Sequence, residues 1–260
     1  MTSLPLDIFG YLLRFIDSDK DKGKLLLTCK GLLKNDVRFT KQINVNKIKK
    51  SMWFDNFVNI KNVKNLKRLP LHITHLRFNK EFNNQINASI PTSVTHLMFG
   101  EKFNQYIDGC IPDSVREIRF GCFFNRPVKN LPSSITYLKF GLFFNQSVKK
   151  LPPSLIHLIF DNLFNRSINN LPSSITYLRL GSCFNQSIYN LPSSITHLQL
   201  GVRFQHSINN LPSSITHLTI PKTYYSNHWG NIPLTVTNLT LTNNLKDEKY
   251  QRSGGIFVRL

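Results

Sequence analysis

The segment LPSSITYLKFGLFFNQSVKK, residues 131–150, decides the fold because variants of it recur along most of the chain. Each copy is marked by a proline that follows leucine or isoleucine, at positions 70, 91, 112, 132, 152, 172, 192, 212 and 233. A phenylalanine followed by asparagine lies between successive prolines, at Phe82, Phe103, Phe124, Phe144, Phe164 and Phe184. A fixed period of this length is the signature of a repeat architecture.

Each copy is predicted to contain one short strand. In Ile135–Phe140, the side chains of Leu138 and Phe140 fall on one face and those of Tyr137 and Lys139 on the other. This is the two-residue period of a strand. Proline belongs outside the strand because it has no N–H for the ladder, and the glycine that follows the segment marks the exit turn.

A unit of this size cannot bury its own apolar face, so the copies must stack on one another. Neighbouring strands lie about 4.8 Å apart, and stacking therefore aligns equivalent residues in columns. The sequence predicts a solenoid with one parallel strand per 20–21-residue coil. We expect a phenylalanine column inside it, an asparagine column whose amides bond backbone groups of the next coil, and serine hydroxyls that cap backbone groups in the Pro-Ser-Ser turns.

The spacing L-x-x-L-x-L resembles a leucine-rich repeat. More closely, F-N-x-x-I followed by L-P-x-S-(I/V)-T-(H/Y)-L is similar to the FNIP repeat over residues 60–245. Two departures fall near the C-terminal end of the array, where Gln205 replaces the column asparagine and Tyr224-Tyr225 takes the Phe-Asn position. Terminal repeats are expected to differ, because one of their faces meets water.

The N-terminal segment has helical rather than strand periodicity. Apolar residues recur at three- and four-residue steps from Ile8 to Ile16, and a second apolar run extends from Leu25 to Leu33. We expect two short helices here, so the predicted fold class is α+β. So small a segment cannot bury this much apolar surface alone, and either the end of the solenoid or another protein must cover it.

Within this segment, L-P-x-D-I-x-x-x-L-L-x-x-I followed by L-x-L-x-C-K is similar to an F-box. An F-box before FNIP repeats resembles proteins of social amoebae and of giant DNA viruses that infect amoebae. The resemblance implies docking to the Skp adaptor of a cullin–RING ubiquitin ligase through Leu4, Pro5, Ile8, Leu12, Leu13, Ile16, Leu25 and Cys29. Leu32 departs from the pattern, since the family usually has tryptophan there. The alternative is a helical cap on the first coil, which would use the same leucines.

These patterns divide the chain into an F-box-like segment at 1–45, a joining or capping segment at 46–68, the repeat solenoid at 69–245 and a C-terminal cap or tail at 246–260. Trp53, Phe54 and Phe57 make the joining segment too apolar for a flexible linker. We expect this segment to pack the N-terminal helices rigidly against the solenoid.

Two columns of variable residues are predicted on the exposed face of the sheet, at the third and fifth positions of each strand segment. The residues offered to a target protein are His75, Arg77, His96, Arg119, Tyr137, Lys139, His157, Tyr177, Arg179, His197 and His217. Zinc needs three or four convergent ligands, whereas only two pairs of these histidines are adjacent. A stacked aromatic ladder is therefore predicted, and no metal site.

The sequence shows no constellation suited to catalysis. The chain has only 14 carboxylates, with no same-face pair for acid–base work. It also lacks GxSxG, HExxH and glycine-rich phosphate motifs. We therefore expect a protein that is not an enzyme and uses no cofactor.

The charge balance indicates acidic partners, because 33 Lys and Arg against 14 Asp and Glu give a formal net charge of +19. Cations among His and Tyr could bind an acidic or phosphorylated segment of a target protein through charge-assisted hydrogen bonds. Together with this surface, the resemblance to F-box and FNIP-repeat proteins implies a substrate-recognition adaptor of an SCF-type ubiquitin ligase. Two alternatives stay open: a basic solenoid that binds nucleic acid, and a non-catalytic interaction scaffold.

Cysteine usage and hydropathy bear on location. Cys29, Cys110, Cys122 and Cys183 have neither metal-binding nor disulfide-framework spacing, so we expect free thiols in a reducing compartment. No apolar run reaches about 20 residues, and the N-terminus lacks the pattern of a secretory signal. We expect no membrane association and a cytoplasmic protein, in the host cytoplasm if the origin is viral, with the nucleus as the alternative.

Overall fold

The computed structural model describes residues 38–50, 54–86, 89–227, 232–242, 247–253 and 255–260. Within them, thirteen strands follow one another in chain order in a single sheet. Strands β1 to β13 are Ile43–Asn44, Asn59–Val63, His75–Phe78, His96–Met98, Glu117–Arg119, Tyr137–Lys139, His157–Ile159, Tyr177–Arg179, His197–Gln199, His217–Pro221, Asn238–Thr242, Glu248–Ser253 and Ile256–Arg259. Two 3-10 turns, Val45–Lys47 and Phe54–Asn56, and one short helix, α1 at Lys222–Asn227, complete the described elements.

Strands β1 to β11 pair in parallel, one strand per coil, which confirms the predicted solenoid. Leu138 is buried between half-buried Tyr137 and Lys139, so the predicted alternation holds. The two predicted N-terminal helices lie outside the described residues, and the α+β class is supported only in its solenoid part. No helix in the described part of the chain is long and apolar enough to cross a bilayer.

Two columns of phenylalanine rings fill the solenoid. One column follows the strands and the other precedes the asparagines, and within a coil the two rings stack, as Phe140 and Phe144 do at a centroid distance of 3.7 Å. The columns contain Phe78, Phe99, Phe120, Phe140 and Phe160, and Phe82, Phe103, Phe124, Phe144, Phe164, Phe184 and Phe204, all buried. Rings of successive coils stack nearly parallel, for example Phe124 on Phe144 at 6.1 Å and 3°. The predicted internal column is therefore confirmed, and a second one accompanies it.

The asparagine column forms a ladder of hydrogen bonds between coils. The backbone N–H of Asn165 donates to Oδ1 of Asn145 at 3.0 Å, and that of Asn145 donates to Oδ1 of Asn125 at 3.0 Å. The same bond joins every successive pair from Asn83 to Gln205. The ladder thus satisfies a backbone donor that the strand pairing cannot reach, in agreement with the predicted role of this column.

Serine and glycine columns fix the approach of each coil to the one before it. Ser134 Oγ donates to the carbonyl of Val115 at 2.7 Å, and Ser114, Ser174, Ser194 and Ser214 make the equivalent bond. A side chain at Gly141 would place its Cβ 2.0 Å from the carbonyl oxygen of Gly121. Glycine is therefore required here by close backbone contact between coils.

The sheet extends beyond the predicted solenoid, 69–245, at both ends. β1 and β2 continue it on the N-terminal side, where Phe57 of the joining segment stacks on Phe39 at 4.8 Å; Trp53 lies outside the described residues. At the other end Tyr224 occupies the repeat phenylalanine position, with its ring 5.7 Å from that of Phe204. The predicted C-terminal cap or tail is an antiparallel hairpin, β12 and β13, added to the sheet.

Replacing Asn145 by alanine is expected to destabilise the protein by about 1 kcal/mol, because the N–H of half-buried Asn165 then loses its acceptor. Gln205→Ala is the matched control, since Gln205 ends the ladder and its side chain accepts no such bond. Urea unfolding of both variants measures the difference. An equal loss of unfolding free energy in the two variants would contradict the ladder's role.

Candidate interaction surface

The parallel register places all predicted target-face residues on one face of the sheet, called here the open face. Its third-position column runs His75, His96, Glu117, Tyr137, His157, Tyr177, His197 and His217, each paired with the next. Its fifth-position column runs Arg77, Met98, Arg119, Lys139, Ile159, Arg179, Gln199 and Thr219 in the same pairings. The leucine or isoleucine between these positions points into the core, so the two columns are the side chains that the strands present on this face.

Two pairs of histidines stack face to face near the two ends of the open face. The rings of His75 and His96 lie 4.0 Å apart at 7°, and those of His197 and His217 lie 4.0 Å apart at 13°. The threonine hydroxyl before each histidine is 2.8–2.9 Å from its Nδ1. These contacts fix the orientation of the rings.

Burial and a neighbouring ring lower the pKa values of His75 and His197. Burial lowers the pKa of His75, and the positive charge that His96 can carry lowers it further, against an opposing effect of Glu117. Burial lowers the pKa of His197, with added lowering from His217 and His157. At neutral pH the side chains of His75 and His197 are therefore uncharged.

The centre of the open face is an aromatic ladder with tilted rings. Tyr137 and His157 have centroids 5.8 Å apart, His157 and Tyr177 5.6 Å, and Tyr177 and His197 6.0 Å. The ladder predicted from the third-position column is therefore present, with spacings slightly wider than the strand separation. Burial raises the pKa of Tyr137, so its hydroxyl stays protonated and can donate a hydrogen bond.

The carboxylate of Glu117 is already paired. Its Oε1 accepts from Nε of Arg119 at 2.5 Å, and its Oε2 lies 3.9 Å from Nε2 of His96. The guanidinium of Arg119 also lies over the ring of Tyr137, 4.6 Å from the centroid. Arg119 is thus a positioned side chain with an internal partner, which the sequence pattern alone did not indicate.

Three other cations of the open face have no such partner. Arg77, Lys139 and Arg179 form no ion pair with any described residue. Arg77 and Arg179 are exposed and Lys139 is half-buried. Lys139 and Arg179 are separated by one strand that carries Ile159, so their backbones lie about 10 Å apart. The open face therefore presents unneutralised positive charge beside aromatic rings.

An exposed apolar column lies on the exit turns that follow the strands, and sequence reasoning missed it. Phe123, Phe143 and Leu163 lie at one position of successive exit turns, four residues after Arg119, Lys139 and Ile159, and each is exposed. The rings of Phe123 and Phe143 stack at 5.1 Å. The signal was the doubled phenylalanine of two copies, whose second member alone belongs to the core. We call these three residues the apolar ridge.

Two further sequence predictions concern metal binding and the Skp adaptor. Within the described ranges, no group of three or more His, Cys, Asp or Glu is placed to hold a metal ion. The stacked histidine rings present their faces to each other rather than converging nitrogens. Of the residues predicted to dock the Skp adaptor, all lie between positions 4 and 29, outside the part of the chain that the structure describes.

Comparison with known proteins agrees with the repeat architecture. The FNIP repeat family matches residues 62–102, 86–123, 103–143, 144–183 and 184–223. The chain is also similar to the crystal structure of CroV588, described as a novel circular LRR protein structure, with 40% sequence identity and a TM-score of 0.65. That similarity covers 73% of this chain and 31% of CroV588, so the chain spans less than a third of its length. No curated protein matches the chain.

Acidification below pH 6.5 is expected to destabilise the protein through His75 and His197. Their folded pKa values are lowered from the ordinary 6.5, so the unfolded chain takes up protons first as the pH falls. Stability is full above pH 6.5 and falls below it. In the double variant His75→Gln, His197→Gln, the midpoint temperature of thermal unfolding should fall less with decreasing pH than in wild type. The control is His72→Gln, an exposed turn residue; an unchanged slope in the double variant would exclude this explanation.

Proposed function

The chain belongs to the FNIP repeat family, and on that basis we propose that it is a non-catalytic adaptor that binds a target protein through its open face. Repeat solenoids of this kind are suited to protein–protein interaction. The observation that carries the proposal is the row of unpaired cations, Arg77, Lys139 and Arg179, on a face whose one carboxylate in the two columns, Glu117, already has a partner.

The target segment that fits this face is acidic or phosphorylated. Lys139 and Arg179 are spaced to hold two negative groups about 10 Å apart along the solenoid, and Ile159 between them offers an apolar contact. Tyr137 and Tyr177 can donate hydrogen bonds from β6 and β8, the strands that carry Lys139 and Arg179. Charge-assisted hydrogen bonds of this kind are the strong ones in protein recognition.

The apolar ridge favours a protein over nucleic acid. Phe123, Phe143 and Leu163 are exposed on the exit turns that follow the strands of the open face, and apolar side chains of this type anchor protein interfaces. A surface that follows a phosphate backbone depends chiefly on cations. Nucleic-acid binding, which the net charge of +19 also permits, is the alternative that the experiment below separates.

For residues 1–45 we propose the role that their F-box resemblance implies. Leu4, Pro5, Leu12 and Leu13, with the other residues of the motif, would dock the Skp adaptor and so connect the chain to the cullin of a ubiquitin ligase. The chain would then act by holding its target near the ubiquitin-loaded enzyme. Such a role places it in the cytoplasm or nucleus.

The charge-reversal variant Lys139→Glu, Arg179→Glu should lose at least about tenfold in affinity for acidic or phosphorylated peptides. Each charge-assisted hydrogen bond contributes about 1.5 kcal/mol or more, and 1.4 kcal/mol corresponds to about tenfold. An arrayed library of such peptides supplies the ligands, and fluorescence anisotropy of the best binder gives the affinities.

Lys149→Glu, Lys150→Glu is the matched control, because these exposed residues lie between β6 and β7, outside the open face, and the change in net charge is the same. Its peptide affinity should stay near that of wild type. Equal weakening in both variants would reject the open face as the site. Binding of a random-sequence DNA duplex that falls steeply with salt, without peptide binding, would favour the nucleic-acid alternative.

Co-expression with an amoebal Skp adaptor tests the second part of the proposal. We expect a one-to-one complex in size exclusion that Leu12→Asp, Leu13→Asp abolishes, because charged residues cannot be buried unpaired in an apolar interface. The peptide affinity of this double variant should be unchanged. A well-folded wild-type chain that forms no complex would leave the leucines as a cap on the first coil.

A further inference from the structure

The last strand of the sheet, β13, ends it with an open edge. The strand order finishes at β13, so within the described residues no strand lies on its outer side. Open edges of this kind invite pairing with another strand, and proteins usually protect them with charges or by making the strand very short. The opposite edge strand, β1, has only two residues, whereas β13 has four.

One face of this edge is wholly apolar. Gln251 pairs with Asn238 on the open face and with Val258 on β13, so Val258 faces the open side. Ile256 and Leu260 share that side, because side chains alternate along a strand. Ile256, Val258 and Leu260 are 67%, 49% and 73% exposed, and no charged side chain separates them.

The backbone of β13 shows which groups are available for pairing. The N–H of Leu260 donates inward to the carbonyl of Lys249 at 2.9 Å. Inward and outward orientations alternate in an antiparallel ladder, so the N–H and C=O groups of Phe257 and Arg259 point outward, away from β12. These are the groups that a further strand would bind.

A second copy of β13 fits this edge in one antiparallel register. With Val258 opposite its own copy, Ile256 lies opposite Leu260, and Phe257 lies opposite Arg259. The outward groups of Phe257 and Arg259 then meet as hydrogen-bonded pairs, while Val258 forms the close pair without hydrogen bonds. All six apolar side chains share one face, and no arginine faces its own copy.

The other face of the joint is also self-complementary. Arg252 already lies over the ring of Phe257, with its guanidinium carbon 4.3 Å from the centroid. In the paired register, Arg259 of the second copy would approach the same ring, since cations are attracted to aromatic faces. This matching of Phe257 with an arginine favours a second copy over an unrelated strand.

We propose that the protein forms a two-fold symmetric dimer in which the β13 strands of two copies pair antiparallel around Val258. The two open faces then lie on the same side of one continuous sheet, which permits bivalent binding of a target. A joint of one strand per copy buries much less than the roughly 800 Å² per partner of a standard interface. The dimer is therefore weak and depends on concentration.

Disulfide trapping tests the register. In a background with the four cysteines replaced by serine, Val258→Cys should cross-link to its copy under mild oxidation, because the Cα atoms of such a pair lie about 4.5 Å apart. Ile256→Cys is the matched control on the same face of the same strand. Its copies would be separated by four residues, or about 13 Å, and it should stay uncross-linked unless mixed with Leu260→Cys.

Sedimentation velocity of the unmodified chain measures the association itself. We expect the dimer fraction to rise with protein concentration and with NaCl, because salt screens the repulsion of Lys249, Arg252 and Arg259 across the joint. Val258→Asp should be monomeric, whereas Val202→Asp, on an exposed exit turn, should behave as wild type. A wild-type chain that is monomeric at every concentration, or equal cross-linking of Val258→Cys and Ile256→Cys, would overturn the proposal.

Discussion

The whole structure depends on the in-register stacking of one coil on the next at the separation of two β-strands. Strand hydrogen bonds secure the sheet side, and the ladder through Asn125, Asn145 and Asn165 secures the opposite corner. The lack of a side chain at Gly141 lets the coils approach each other this closely. Because a coil is held at several corners, neighbouring phenylalanine rings must share one orientation, which explains interplanar angles as small as 3°.

This constraint also decides where function can lie. Residues that point inward or bond between coils cannot change without disturbing both neighbours, so the framework repeats. The third and fifth strand positions meet no such demand, and there His, Tyr, Lys, Arg and Ile alternate from coil to coil. Stacking then makes a continuous surface from residues 20 or 21 apart in sequence. The fold thus provides a rigid support for two columns of side chains that differ from coil to coil.

The same stacking explains how much of the structure could be predicted from the sequence. Periodicity predicted the phenylalanine and asparagine columns and the members of the open face, because a repeated residue has a repeated environment. Periodicity could not predict the ion pair between Glu117 and Arg119, because pairing between side chains depends on their rotamers. It also missed the hairpin of β12 and β13, although a Gly-Gly pair in the sequence before the apolar run Ile256-Phe257-Val258 is a typical hairpin signal. The hairpin occurs only once, so the periodicity that identifies the coils does not detect it.

The C-terminal end of the solenoid shows how the stacking of coils is terminated. Each coil exposes the same edge that the next coil uses, so ending the stack requires residues that break the pattern. Tyr224 keeps the phenylalanine position while α1 replaces the usual turn, and the sheet then reverses into an antiparallel hairpin. Reversal stops the repeat, but β13 again runs in the direction of β1 to β11 and leaves an open edge. The hairpin offers a further coil no asparagine ladder to bond to, whereas the antiparallel register around Val258 matches a second copy of β13.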